Sequence, residues 1–293
     1  MKVLVTGGKG ALGGLLMERL KELGHDARSY DIADGQDLFD LAALEKAILD
    51  VDAVYHLAAE ANLNTMRDIE GAHRGSMLNI LGTEHVAYVC AKHNTWLLYV
   101  STLCVYGDTL EHPENEDTTL PNPSEIYATS KYAGEWAVIG YGKSLDLPYT
   151  ILRIATPYGR GARLAMATHV FFKQALKGEP ITIHGDGRQE RTMTYVDDAI
   201  EGTVAPLARM AESRKQIFNI STAERTSVLE MAAQIKALVG SKSEIVFIPE
   251  RPHDTMSEEI DVSKAKRLLG WEAKVSFAEG LQKTLVWMKE VVT

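Results

Sequence analysis

The sequence predicts an α/β fold, a doubly wound parallel sheet with a second, smaller region that is discontinuous in the chain. Three observations predict it: strand-like runs alternating with helical patterns, a glycine-rich turn directly after the first run, and a break in that rhythm beyond residue 155. Runs rich in β-branched and aromatic residues occupy 3–6 (VLVT), 27–31 (ARSYD), 53–58 (AVYHLA), 96–102 (WLLYVST) and 149–155 (YTILRIA). Apolar residues at helical spacing lie between them, around 11–24, 41–49, 76–93 and 126–146. Alternation of this kind places helices on both faces of a parallel sheet, and such sheets bind ligands at the carboxyl ends of their strands.

The first turn reads TGGKGALGG and opens the first helix. Gly7, Gly10 and Gly13 suit a tight turn, close approach of a pyrophosphate to the backbone, and close packing of helix on sheet, with Ala11 and Leu12 between the last two. Free N–H groups at the helix start would receive the phosphates. Asp31 ends the second strand, at a spacing that suits a carboxylate receiving the ribose hydroxyls. Its charge would repel a 2′-phosphate, so NAD is expected rather than NADP. The competing reading of Asp31 is a cap on the following turn. Together these features make the sheet Rossmann-type.

After residue 155 come a Gly- and Arg-rich loop (TPYGRGARLA), a helix near 166–177, a strand ITIH and the loop GDGRQER. The strand-helix pattern resumes with TMTYV, a helix from Asp197 and the strand QIFNIS, followed by a helix, the strand EIVFIP and two last helices. The expected division is a cofactor domain of 1–155 and 193–223, with a second region of 156–192 and 224–293.

The stretch YATSK pairs Tyr127 with Lys131 four residues on, so the two share one face of a helix over 126–146. Ser124 is the expected N-cap, which puts Tyr127 in the first turn. The helix dipole and a nearby ammonium would both draw the phenol down from about 10, making Tyr127 a candidate general base.

The 293 residues suffice for a large core, and 45% hydrophobic with 24% charged residues is an ordinary globular composition. A formal net charge of −9 without long basic clusters argues against nucleic acid as a partner. Cys90 and Cys104 lack neighbours at metal-ligand spacing, and His56, His184 and His253 are scattered, so no metal is expected. The opening KVLVTGG is too short for a secretory leader, and no run reaches the ~18 apolar residues a membrane helix requires. A cytoplasmic protein with no membrane partner is expected.

The glycine loop, Asp31, HLAA (56–59), Asn79, STLCVYG (101–107) and YATSK, in this order, resemble the extended short-chain dehydrogenase/reductases. More narrowly the chain is similar to the NAD-dependent nucleotide-sugar epimerase and dehydratase branch, UDP-glucose 4-epimerase-like. LRIATPYG (152–159), GDGRQERTMTYVDDA (185–199), RPHD (251–254) and DVSKAKRLLGW (261–271) carry the resemblance onward. It implies a catalytic set of Thr102, Tyr127 and Lys131, with Lys131 also holding the nicotinamide ribose. It implies adenine contacts from Asp37 and Leu38, a cofactor cleft lined by Leu57, Ala58 and Ala59, and a cofactor-side Asn79. Arg191 and Arg251 match arginines on the substrate diphosphate and nucleotide, a task suited to guanidinium forks. The second region is then the nucleotide-sugar-binding part, and a homodimer through helices of the kind at 76–93 and 126–146 is implied, although Met77, Val86, Val89, Trp136 and Ile139 could equally be core.

In such enzymes the tyrosinate takes the C4 hydroxyl proton while NAD takes the hydride, giving a 4-keto sugar. Dehydratases that resemble this chain carry an acidic pair just after the threonine, and decarboxylating relatives generally carry a glutamate there. Here those positions are Leu103 and Cys104. What remains is 4-epimerisation, which needs no extra acid or base; dehydratase, 4-keto reductase and non-catalytic NAD-binding readings stand as alternatives. Thr156 and Arg163 resemble the residues that face a sugar carboxylate in uronic-acid epimerases, so both are candidate substrate contacts. Ala155, where a larger residue is common, is read as room beside the nicotinamide.

Overall fold

The computed structural model describes residues 1–107, 109, 111–250 and 258–292. Its centre is a six-stranded parallel sheet. Strands β1 (Lys2–Thr6), β2 (Asp26–Tyr30), β3 (Ala53–His56), β4 (Trp96–Thr102) and β5 (Tyr149–Ile154) match the five runs to within two residues. A sixth strand, Gln216–Ile220, closes one edge, giving the order Gln216–Ile220, β5, β4, β3, β1, β2. The register aligns the carboxyl ends: Thr6 pairs with Tyr30 and His56, and Thr102 with Ile154. From β1 the chain runs outward to β2 and then returns to the other side for β3, so the crevice of this Rossmann-type sheet opens above β1 and β3.

Helices α1 (Ala11–Glu22) and α2 (Leu41–Ile48) lie where expected. The helix expected at 76–93 begins earlier: α3 (Ile69–Met77) leads through a π turn, Leu78–Gly82, into α4 (Thr83–His93). Its start is set by Asp68, whose carboxylate accepts a hydrogen bond from the Gly71 N–H at 2.8 Å. A π turn is a wider helical turn found mostly at functional sites, and this one carries Asn79. Helix α5 (Ile126–Ser144) follows, then α6 (Ala167–Lys177) and α7 (Val196–Ala208).

One face of the sheet buries Leu4, Val54, Leu97 and Ile151 against α2, α4 and α5. The other buries Val3, Val5, Tyr55 and Leu98 against α1, α6, α7 and the last helix, Phe277–Val292. That second cluster also contains Ile181, Ile183, Met231 and Ile235, so the later part of the chain shares a continuous core with the sheet. The Asp198 carboxylate fastens it by accepting from the Lys274 and Val275 N–H groups at 2.9 and 2.8 Å. Short pairings between 181–184 and 245–248, 190–191 and 226–227, and 157–158 and 194–195 complete the region.

Candidate active site

The glycine turn sits at the end of β1. Gly7 has φ +72°, and a Cβ there would stand 2.7 Å from the Ala58 nitrogen; a Cβ on Gly13 would stand 2.0 Å from the Gly7 carbonyl oxygen. Both sites therefore require glycine, and the turn is held against Leu57 and Ala58, with Ala59 half-buried just beyond. Gly10 begins α1 with no side chain capping the first N–H groups, and Ala11 at that end is exposed while Leu12 is half-buried. An anion is the natural partner of such an end.

Asp31, 9% exposed, caps the following turn, the competing reading of the sequence, and keeps acceptor capacity beyond that. Its Oδ1 accepts from the Ala33 N–H and caps the turn Ile32–Asp34, while its Oδ2 accepts from the Lys9 N–H of the glycine loop, both at 2.9 Å. Each oxygen keeps a second lone pair for a hydroxyl. Asp37 is exposed, with its carbonyl bonded by the Tyr30 hydroxyl at 2.9 Å; Leu38 is buried against the π turn near Gly82. These groups fit a dinucleotide with free ribose hydroxyls: a cradle that a Cβ would fill, uncapped helix N–H groups and a carboxylate at the next strand end.

Asn79 has no exposed surface. Its Nδ2 donates to the Glu60 carbonyl and the Ser130 hydroxyl, both at 2.9 Å, and its Oδ1 accepts from the Glu60 N–H at 2.8 Å. It ties the loop after β3 to α5, and Ser130 in turn donates to the Tyr127 carbonyl at 2.8 Å.

Helix α5 starts at Glu125 rather than Ser124, and no side chain caps it. Tyr127 lies in its first turn as expected, and the Thr102 side chain at the end of β4 is among the groups that act on its phenol. The expected drop of its pKa is not found. Burial raises it well above the usual range and the Cys104 thiol adds to this, outweighing the Thr102 side chain and the Arg163 charge, which lower it. The helix spacing was right, but desolvation dominates. Lys131 is 3% exposed with its Nζ 4.2 Å from the centre of the Tyr99 ring, and burial pulls it down to about 7 against the opposing pull of Glu135.

Leu103 is buried with Tyr106, Ala155 and Ile260 in one apolar cluster. Cys104 keeps surface open to solvent and donates its backbone N–H to the Thr102 hydroxyl at 3.2 Å. Desolvation of its sulfur raises the thiol pKa, the Thr102 side chain and Arg191 lower it, and the carboxylates Glu258 and Glu125 raise it. Thr102 and Arg163 thus act electrostatically on Tyr127, and Thr102 and Arg191 on Cys104. Arg163 also donates to the Ala61 carbonyl, and the half-buried Thr156 accepts from the Thr194 N–H at 3.3 Å. Arg191 Nε stands 3.7 Å from the Glu258 carboxylate. Arg251 lies outside the described residues.

Sequence reasoning missed Glu258. It accepts from the Thr192 N–H and hydroxyl, both at 3.2 Å, across 66 residues of chain, a contact without a local signal. Among the described residues no group of three or more His, Cys, Asp or Glu could hold a metal, and no helix is long and apolar enough to cross a membrane.

The sequence profile of the NAD dependent epimerase/dehydratase family matches residues 3–221. The chain belongs to this family. It is 31% identical to UDP-glucuronic acid decarboxylase 1 of Danio rerio over 97% of this chain and 72% of that protein. Its fold is similar to a UDP-glucose 4-epimerase from Thermotoga maritima solved with UDP-glucose (TM-score 0.92, 27% identity, 100% of both chains). It is likewise similar to a UDP-glucuronic acid 4-epimerase from Bacillus cereus solved with UDP-glucuronic acid and NAD (TM-score 0.91, 30% identity, 99% of this chain and 100% of that one). The expected extended short-chain dehydrogenase/reductase relationship, the parallel sheet and the NAD cofactor stand with these findings.

Proposed function

We propose that this family member is an NAD-dependent 4-epimerase of a nucleotide-diphosphate sugar, with a UDP-sugar as substrate. The observation that carries the reading is that the Thr102 side chain acts on the buried Tyr127 phenol, with a packed leucine and a thiol following Thr102 in sequence. The cleft therefore has its oxidation pair but no carboxylate at the two positions next to it.

NAD, bound along Gly7, Gly10 to Gly13, Asp31, Asp37, Leu38 and Leu57 to Ala59, supplies a hydride acceptor that can return what it takes. Asn79 braces that loop from beneath. Tyr127 takes the proton of the C4 hydroxyl and later gives it back, and Thr102 aligns the reacting oxygen by hydrogen bonding. Lys131 holds the ribose and offsets the charge on the tyrosinate. Burial raises the phenol and the Arg163 charge opposes that rise, so positive charge in the site favours loss of its proton. Arg191, assisted by Arg251, clamps the diphosphate, with residues 156–192 and 224–293 forming the sugar-nucleotide side and 1–155 with 193–223 the cofactor side.

A second reading, a uronic-acid substrate, is favoured by one observation. Arg163 is exposed, donates to the Ala61 carbonyl and acts electrostatically on the Tyr127 phenol, so a carboxylate on the sugar would have a guanidinium within electrostatic range of the reacting centre, with Thr156 nearby in sequence. This reading also admits decarboxylation. A homodimer is proposed through the exposed Met77, Tyr88 and Trp136 of α3, α4 and α5. Val86 and Val89 have no exposed surface and belong to the core.

The test is chromatography with mass detection on purified protein incubated with UDP-, dTDP-, GDP- and CDP-sugars, without added nicotinamide cofactor. A product of unchanged mass and altered retention supports epimerisation. Loss of carbon dioxide or water contradicts it, and dependence on added NAD or NADH points to a dehydrogenase or reductase.

A further inference from the structure

One turn beyond Lys131 on α5 lies a charged side chain for which the reaction above has no use. Glu135 has no exposed surface. Its Oε1 accepts from the Ser101 hydroxyl at 2.5 Å and from Arg153 Nε at 3.1 Å, and its Oε2 accepts from Arg153 Nη2 at 2.8 Å. Arg153, 3% exposed on β5, is held with its guanidinium carbon 4.8 Å from the centre of the Tyr106 ring. A buried ion pair is no better for stability than well-packed apolar residues of the same shape. Its place behind the catalytic helix calls for another reason.

The surroundings of Lys131 supply one. The Tyr99 ring faces it from β4, and His56 on β3 stacks on that ring at 5.6 Å between centres. His56 is neutral at physiological pH, since burial pulls it down to about 3, and burial likewise keeps Tyr99 protonated. Tyr127 and Glu135 flank Lys131 along α5, and Arg153 is bonded to Glu135. Of these groups Glu135 alone is an anion when Tyr127 is protonated.

We propose that Glu135, fixed in place by Arg153 and Ser101, is a positioning residue that holds the buried Lys131 in its charged, ribose-binding form. The direction of its effect agrees, because Glu135 opposes the desolvation that draws the proton off Lys131. Lys131 is charged below its pKa. Removing the neighbouring anion lowers that pKa, so the charged form is lost at lower pH.

This rests on the reading of Lys131 as the cofactor-side lysine, and its test needs no sugar. NAD affinity is followed by intrinsic tryptophan fluorescence across about pH 6 to pH 9 in a Tyr127→Phe background, which removes the other titrating group. Affinity falls as pH rises through the Lys131 midpoint. Adding Glu135→Gln is expected to move that midpoint down by about one pH unit or more, and Glu135→Asp to restore most of it. Where Glu135→Gln alone fails to fold because Arg153 is left unpaired, the double change Glu135→Gln with Arg153→Met must show the same displacement. An unmoved midpoint in a folded variant overturns the role of Glu135, as does a uniform loss of affinity without displacement. A flat profile already in Tyr127→Phe alone overturns the reading of Lys131, and the role of Glu135 with it.

Discussion

Replacing Gly13 by alanine tests the cofactor cradle through one methyl group. The new Cβ would lie 2.0 Å from the Gly7 carbonyl oxygen and 2.9 Å from two further backbone atoms, Gly7 C and Gly8 Cα. No flexible side chain is there to yield, so the turn must withdraw by about 1 Å to reach even the tightest tolerated contact. It has little room, because Gly7 already abuts the Leu57 and Ala58 backbone. Overpacking of this kind costs about 1–3 kcal/mol, and at roughly 2–4 °C per kcal/mol for a large domain the Tm falls by several degrees. The displaced N–H groups of α1 also lose a charge-assisted bond to the pyrophosphate worth about 1.5–3 kcal/mol, a ten- to hundredfold loss of NAD affinity. The neighbouring change Gly14→Ala is the control. A Cβ there meets nothing within 4 Å, and the substitution should raise helix stability by about 0.5–1 kcal/mol. Thermal unfolding and calorimetric NAD titration of both variants decide the matter. If Gly13→Ala unfolds and binds NAD as Gly14→Ala does, the phosphate cradle is misplaced.

Three further outcomes are expected. Tyr127→Phe should reduce turnover by at least about a hundredfold while NAD still binds; retained turnover would remove the tyrosinate mechanism. Asp31→Ala should weaken NAD more than NADP in paired titrations, since it removes both the hydroxyl acceptor and the anchor for the Lys9 N–H; an unchanged preference would refute the ribose assignment. His56 is kept neutral by burial, with its pKa drawn down to about 3, so its contribution to stability is full above the unfolded value near 6.5 and is lost as pH falls toward 3. Between pH 7 and pH 4 this amounts to about 3 kcal/mol, which His56→Gln should remove from the pH dependence measured by denaturant unfolding; equal slopes in the two proteins would contradict it.

What the sequence made legible was backbone geometry. Gly7 and Gly13 are demanded by close backbone contacts around the turn, and three of the strand runs, β3, β4 and β5, are buried throughout. The Tyr127 to Lys131 spacing likewise follows from one helix. Tertiary effects were not legible. The start of α3 hid behind Gly71 and Gly75, which weaken a helical pattern; Gly71 is required by close approach to the Thr65 carbonyl, and Gly75 packs against the Met66 side chain. The Tyr127 proton is governed by burial, which no spacing reveals. The pairings of Glu135 with Arg153 and of Glu258 with Thr192 join distant segments. Only the four-residue interval from Lys131 to Glu135 was visible as a hint.

The central claim is that one bound cofactor removes the C4 hydride and returns it to the same sugar. A UDP-sugar carrying deuterium at C4 tests it most directly, with the purified protein, no added NAD, and mass and NMR analysis of the product. The account predicts a C4 epimer of unchanged mass with the deuterium still at C4. Deuterium lost from the epimer to solvent, or a product lighter by carbon dioxide or water, would contradict it.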